Sequence, residues 1–242
     1  MSSINKIMAE MIGAFLLSFI GAGAICLTAV EGAGGGGGLL GVAIAHGLIL
    51  SIAVSCAMNI SGGHINPAVT VCMLVTRRIN LGDAIQYIIA QLIGATIAGA
   101  LVYLAFKDMH NAAGESVVKA VALGSPQFDE NVITTGKAIF FEAMMTFVLV
   151  FAVFGTAVDP RAPKIGGFGI GLAITADILL GGPITGAAMN PSRAFGPGLV
   201  ASITGNLPEF AKQQVVYWVG PIAGAVLAGI LYDTFIMEKK RA

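Results

Sequence analysis

The chain has 242 residues, of which 56% are hydrophobic and only 11% charged, with a mean hydropathy of +0.87. These values place it among integral membrane proteins, and the formal net charge of zero leaves no electrostatic footprint for nucleic acid. The length suits six membrane spans with short loops, in one domain covering residues 1–242.

Ile7 to Val30 is the first apolar run. It is too long for a signal-peptide core, so it is expected to span. Glu10 lies near its start, and Gly13, Gly21 and Gly23 predict close helix packing along it. Glu31 to Gly38, with five consecutive glycines, reads as a loop. Leu39 to Ile60 is the second span and carries His46. Ala84 to Phe106 is the third. Lys107 to Thr135 is the one long polar connection, expected to lie across the surface with His110 in solvent. Ala138 to Val158 is the fourth span, with an early Glu142. Phe168 to Leu180 is the fifth, broken by Gly181-Gly-Pro183, and Val215 to Met237 is the sixth. Cys26, Cys56 and Cys72 all fall in apolar segments. No pair has metal-ligand spacing, so they read as small buried hydrophobes, with neither metal nor cofactor expected.

Two stretches interrupt this pattern: Ser61-Gly-Gly-His-Ile-Asn-Pro-Ala-Val-Thr70 and Thr185-Gly-Ala-Ala-Met-Asn-Pro-Ser-Arg-Ala194. Each sets irregular, small-residue backbone ahead of an Asn-Pro pair. Asn66 and Asn190 read as helix N-caps, with Pro67 and Pro191 at the first helical position, where a missing N–H costs nothing. The helices that follow, Ala68 to Val75 and Ser192 to Ile203 interrupted by Pro197, can cross only about half of a bilayer core of about 30 Å. Non-helical backbone at that depth requires protein or a watery cavity around it. Each stretch therefore predicts a re-entrant loop feeding a half-helix, the two meeting N-terminus to N-terminus.

The halves repeat. Ala9-Glu-Met-Ile-Gly-Ala-Phe15 matches Phe141-Glu-Ala-Met-Met-Thr-Phe147, and Gln91 to Gly99 matches Val219 to Gly229. The repeats run roughly over 1–106 and 136–242, joined by 107–135. Three spans per repeat is odd, so the second copy enters from the opposite side. Lys6, Arg77, Arg78, Arg161, Lys164, Lys239, Lys240 and Arg241 lie on the face of the termini, against Lys107, Lys119, Lys137 and Lys212 on the other. The positive-inside rule then places both termini in the cytoplasm.

The paired motifs, Asn66-Pro-Ala68 and Asn190-Pro-Ser192 followed by Arg193, resemble those of the aquaporin family over nearly the whole chain. The resemblance implies an all-α membrane fold of six transmembrane helices plus two re-entrant half-helices. It also implies a homotetramer with one pore per subunit, passing water and small neutral solutes across the lipid bilayer without catalysis. Ser192 departs from the family's usual Ala, and its hydroxyl is expected to bond back to the backbone. By the same resemblance Glu10 and Glu142 are structural carboxylates that hold the re-entrant loops. The carbonyls of Gly62, Gly63, His64, Gly186, Ala187 and Ala188 line the pore, and His64 faces the cytoplasmic mouth. The Asn66 and Asn190 amides and the two helix N-termini oppose proton passage.

His46, Ile178, Ala187 and Arg193 align with the family's selectivity filter. His46 stands where strict water channels carry an aromatic residue, and Ile178 where they carry His. The surrounding segments resemble tonoplast-type plant channels and an ammonia-permeable animal branch. Such a ring implies a wider aperture in which His46 offers ammonia a donor and an acceptor. Asp177 is read as a hydrogen bonder behind the filter. Three rival functions stay open on sequence alone: a glycerol or urea facilitator, a secondary transporter, and an adhesive membrane protein with a closed pore. Ala194 after Arg193, and the Tyr217-Trp218 pair, favour the water branch over the first.

Overall fold

The computed structural model describes residues 2–31 and 37–238. The centre of the glycine-rich loop and the terminal Lys239, Lys240 and Arg241 lie outside the described residues. Nine α-helices are present among the described residues: α1 (Ser3–Glu31), α2 (Gly38–Ala57), α3 (Pro67–Val75), α4 (Leu81–Phe106), α5 (Val117–Ala120), α6 (Thr135–Val153), α7 (Phe168–Thr185), α8 (Pro191–Ile203) and α9 (Phe210–Leu231). Six of these segments are long and apolar enough to cross a membrane; α5 is a single turn in the long connection, and α3 and α8 are two shorter helices between the spans. At 1.5 Å per residue α3 and α8 together reach about 33 Å, close to one hydrocarbon core.

The helices pack as two like units. α1 lies along α4 and α6 along α9, and α2 crosses α7 between them. Glycines set these crossings. A Cβ at Gly94 would strike the Met11 carbonyl, and one at Gly224 the equivalent Ala143 carbonyl. Gly47 and Gly171 meet each other's backbone across the α2–α7 crossing. The matching pairs Tyr87 with Tyr217 and Gly94 with Gly224 set Gln91 opposite Pro221, correcting the looser alignment with Val219.

Several boundaries differ from the sequence reading. α7 is not broken at Gly181-Gly-Pro183 but runs to Thr185. Gly181 and Gly182 are packing positions against Met145 and Leu39, and the stop is Gly186, in the left-handed conformation (φ 75) that ends helices. Pro197 does not interrupt α8, which continues to Ile203 with Pro197 packed on Gly99. The proline removes one helical hydrogen bond, which the buried surroundings accommodate. α9 starts at Phe210, five residues before the expected span. Cys56 is exposed, unlike Cys26 and Cys72, because it shares the outward face of α2 with Leu48 and Ile52.

The connection over 107–135 does not merely lie on the surface. His110 is exposed as expected, but Val117, Val118 and Leu123 are buried and Gly124 presses on the Ala22 backbone. Further on, Pro126 meets Gly186. The loop is therefore a plug on the side opposite the termini.

On the side of the termini, π-helical turns at Phe154–Val158 and Tyr232–Ile236 are clipped together. Arg161 pairs with Asp159 (2.7 Å) and donates to the Ile236 carbonyl (2.9 Å), and Tyr232 donates to Asp159 (3.3 Å). The Arg161 guanidinium lowers the Asp159 carboxyl to about 2. The clip is complete above the ordinary carboxylate value and lost only as pH falls through about 2.

Gly94→Ala and Gly224→Ala should each destabilise the protein by about 1–3 kcal/mol through overpacking. Gly136→Ala, where an added Cβ meets nothing within 4 Å, should be neutral. Thermal unfolding in detergent compares the three.

Candidate functional site

Two backbone stretches without regular structure, 62–65 and 186–190, run into α3 and α8. Each is held by one buried carboxylate. Glu10 accepts from Ser61 Oγ (2.6 Å), the His64 amide (2.9 Å), the Ile65 amide (2.5 Å) and Gln91 Nε2 (2.7 Å). Glu142 accepts from Thr185 Oγ1 (2.6 Å) and the amides of Ala188 (3.0 Å) and Met189 (2.7 Å). Both carboxylates are fully buried, so each unsatisfied oxygen would be costly. Tyr87 and Tyr217 add a matched pair of donors, to the Ser61 carbonyl (2.9 Å) and the Thr185 carbonyl (2.8 Å). Sequence reasoning found the carboxylates but missed Ser61, Thr185, Tyr87 and Gln91. The recurrence of a hydroxyl residue five positions before each Asn was the available signal.

Pinning the amides imposes an unusual backbone. Ile65 (φ 57), Ala187 (φ 45) and Met189 (φ 51) occupy the left-handed region that non-glycine residues avoid. Gly13 on α1 leaves the slot that seats the Ile65 side chain, so it serves the loop rather than a helix crossing. No donor among the described residues reaches the carbonyls of Gly62, Gly63, His64, Gly186, Ala187 or Ala188. These six acceptors remain open.

Asn66 and Asn190 bind the two half-helices to each other. Asn66 Nδ2 donates to the Met189 carbonyl (2.9 Å), and Asn190 Nδ2 to the Ile65 carbonyl (3.0 Å). Each amide keeps a second N–H. Their side-chain oxygens cap the helices at Ala68 and at Ser192 and Arg193, directly behind Pro67 and Pro191. Ser192 bonds to Asn190 Oδ1 (2.8 Å) and not to the backbone as expected, because that oxygen already sits over the first turn of α8.

Three cavities follow one another through the protein. One of about 720 Å³ opens on the side of the termini and is lined by Lys6, Arg77, Tyr87 and His64. A second, of about 20 Å³, touches His64, Asn66 and Asn190 between apolar walls from Leu17, Leu149 and Ile174. That is room for about one water. A third, of about 380 Å³, opens on the opposite side and is lined by His46, Ile178, Gly186 and the plug residues Ser125, Pro126 and Gln127.

The two histidines have assigned roles in hydrogen bonding. Thr70 donates to the Asn66 carbonyl (3.0 Å) and accepts from Gln91 Nε2 (3.1 Å), so His64 Nδ1 (3.1 Å) is its donor and His64 Nε2 stays bare. His46 Nδ1 faces the Val42 carbonyl (2.8 Å) and must donate. Its Nε2 then accepts from Arg193 Nε (3.2 Å). Both His46 nitrogens are used, which corrects the expectation that they are free to bind ammonia. Arg193 is 3% exposed, and its Nη1 is buried with no partner among the described residues. Ala187 is buried beside Gly181. Asp177 is buried too, but its Oδ2 has no partner among the described residues, so it is not the hydrogen bonder expected.

Glu10→Gln and Glu142→Gln each turn one acceptor oxygen into a donor facing other donors. Each should cut the folded yield in membranes several-fold, as fluorescence-detected size exclusion would measure.

Comparison with known proteins agrees with this geometry. The model of the major intrinsic protein family matches residues 1–232. The chain is 42% identical to aquaporin TIP4-4 of Zea mays, across 98% of this chain and 88% of that protein. It is 40% identical to the probable aquaporin TIP3-2 of Arabidopsis thaliana, across 97% and 85%. Its fold matches the aquaglyceroporin from Plasmodium falciparum with a TM-score of 0.84, over 97% of both chains at 24% identity. The chain belongs to the major intrinsic protein family and is a multi-pass membrane channel of the aquaporin type, a conduit for water and not an enzyme.

Proposed function

We propose that this aquaporin passes ammonia and other small neutral solutes beside water, and excludes protons and ions. The observation that carries the reading is the third cavity's wall at His46 and Ile178, which we take together with the buried Ala187 and Arg193 as one ring. Ile178 presents only hydrocarbon, Ala187 is small, and the His46 imidazole is committed to Val42 and Arg193. Such a ring makes few demands on the hydrogen-bond geometry of the permeant. Arg193, bonded through Nε to His46, brings a fixed charge next to the ring that repels cations. The open carbonyls from Gly62 to His64 and from Gly186 to Ala188 supply acceptors. The second N–H groups of Asn66 and Asn190, at the positive ends of α3 and α8, orient water at the centre against proton relay.

The same reading takes residues 1–242 as one domain, with repeats near 1–106 and 136–242. Matched carboxylate and tyrosine contacts in the two halves support that division. Both termini lie in the cytoplasm by the distribution of Lys and Arg. Four copies assemble, each with its own pore. The outward stripe of Ile85, Ile89, Ile93 and Ile97 on α4 offers an apolar face for lipid or a neighbouring copy.

Ala187→Cys tests the path. Water flux through the unsubstituted protein should resist mercurials, because Cys26 and Cys72 are buried and Cys56 lines none of the three cavities. The variant should lose most of its water flux on treatment. Sensitivity of the unsubstituted protein would place a native cysteine in the path.

Ile178→His tests the solute. It should lower ammonia permeability several-fold while sparing water, since it narrows the ring with a polar group. Stopped-flow measurements on proteoliposomes read both fluxes. Ammonia flux in the unsubstituted protein equal to that of empty liposomes would reduce the function to water alone, and glycerol flux above ammonia would favour a facilitator.

A further inference from the structure

We infer that Gly21 on α1 is a specificity-determining residue, which acts by giving the His46 imidazole a seat away from the channel. The inference rests on the reading of His46 and Arg193 as filter residues. A Cβ built on Gly21 would lie 2.7 Å from His46 Cδ2 and 2.9 Å from Cε1, with Nε2 nearer still. The ring therefore lies directly over the space where every other residue has a side chain. It is only 3% exposed there, although it stands at the wall of a 380 Å³ cavity.

Both ring bonds depend on that seat. Nδ1 reaches back along α2 to the Val42 carbonyl (2.8 Å), and Nε2 takes the Nε hydrogen of Arg193 (3.2 Å). A methyl group at residue 21 would overlap the ring tip, and the short His side chain has only two rotatable bonds with which to escape. α1 closes one side, so the ring must move toward the cavity. Nε2 then leaves Arg193, whose guanidinium loses the acceptor that fixes its orientation. Residue 21 thus sets both the width of the ring and the direction of the Arg193 donors without touching a permeant.

Backbone conformation does not call for glycine here. Gly21 lies inside α1 with no left-handed φ, a place where glycine weakens a helix relative to alanine. Gly23, two residues on, faces open space within 4 Å and has no such neighbour. The pair provides a matched control on one helix.

The experiment is a comparison of Gly21→Ala, Gly23→Ala, His46→Ala and Gly21→Ala/His46→Ala in proteoliposomes, reading ammonia and water permeability per channel. Gly21→Ala should lower the ratio of ammonia to water permeability several-fold, and Gly23→Ala should leave it unchanged. In the His46→Ala background, Gly21→Ala should have no further effect, because the ring it displaces is gone. An unchanged ratio in Gly21→Ala, or an effect that persists without His46, overturns the inference. If His46→Ala itself leaves selectivity unaltered, the filter reading fails instead. A second measurement needs no variant. Solid-state NMR of the unsubstituted protein in bilayers should show a direct dipolar contact between Gly21 ¹³Cα and His46 ¹⁵Nε2, and its absence overturns the inference.

Discussion

The structure depends on two buried carboxylates, neither of which forms a salt bridge among the described residues. Glu10 and Glu142 stand inside the bundle and gather the N–H and O–H groups of one re-entrant loop each. A loop at mid-membrane has donors and acceptors that no helix satisfies, and lipid cannot satisfy them. The carboxylates take the donors and leave the carbonyls open. This division leaves six loop carbonyls without a donor among the described residues. It also forces Ile65 and Met189 into left-handed backbone, a strain that the buried hydrogen bonds overcome.

With the loops fixed, the two Asn side chains can do two things at once. Each caps its own half-helix through oxygen and ties the other repeat's loop through nitrogen. The junction is symmetric in plan but not in detail. Ser192 adds a hydroxyl on Asn190, and Gln91 adds a fourth donor on Glu10 where Pro221 stands in the other half. The cavity on the side of the termini is lined by His64, Tyr87 and Arg77, and the one on the opposite side by His46, Ile178 and Pro183. The different cavity linings on the two sides come from a few side chains set on one repeated scaffold.

Much of this was legible in the sequence, for identifiable reasons. Asn followed by Pro after a glycine-rich stretch specifies a cap and a helix start, and both half-helices begin where that rule places them. Glu in an apolar run must find donors, and both glutamates did. What was not legible depended on contacts between distant segments. Gly181-Gly-Pro183 looks like a stop but is a packing surface, because only the positions of Met145 and Leu39 reveal the difference. The polar composition of 107–135 hid a plug whose apolar residues are too few to form a periodic pattern. The use of both His46 nitrogens required the positions of Val42 and Arg193, residues 4 and 147 positions away.

The most direct test of the account is the simultaneous measurement of water flux and internal pH in proteoliposomes under an osmotic step and an imposed proton gradient. The account predicts water flux well above that of empty liposomes, independent of the proton gradient, with no added proton leak. Water flux equal to that of empty liposomes, or flux that rises and falls with the gradient, would contradict it.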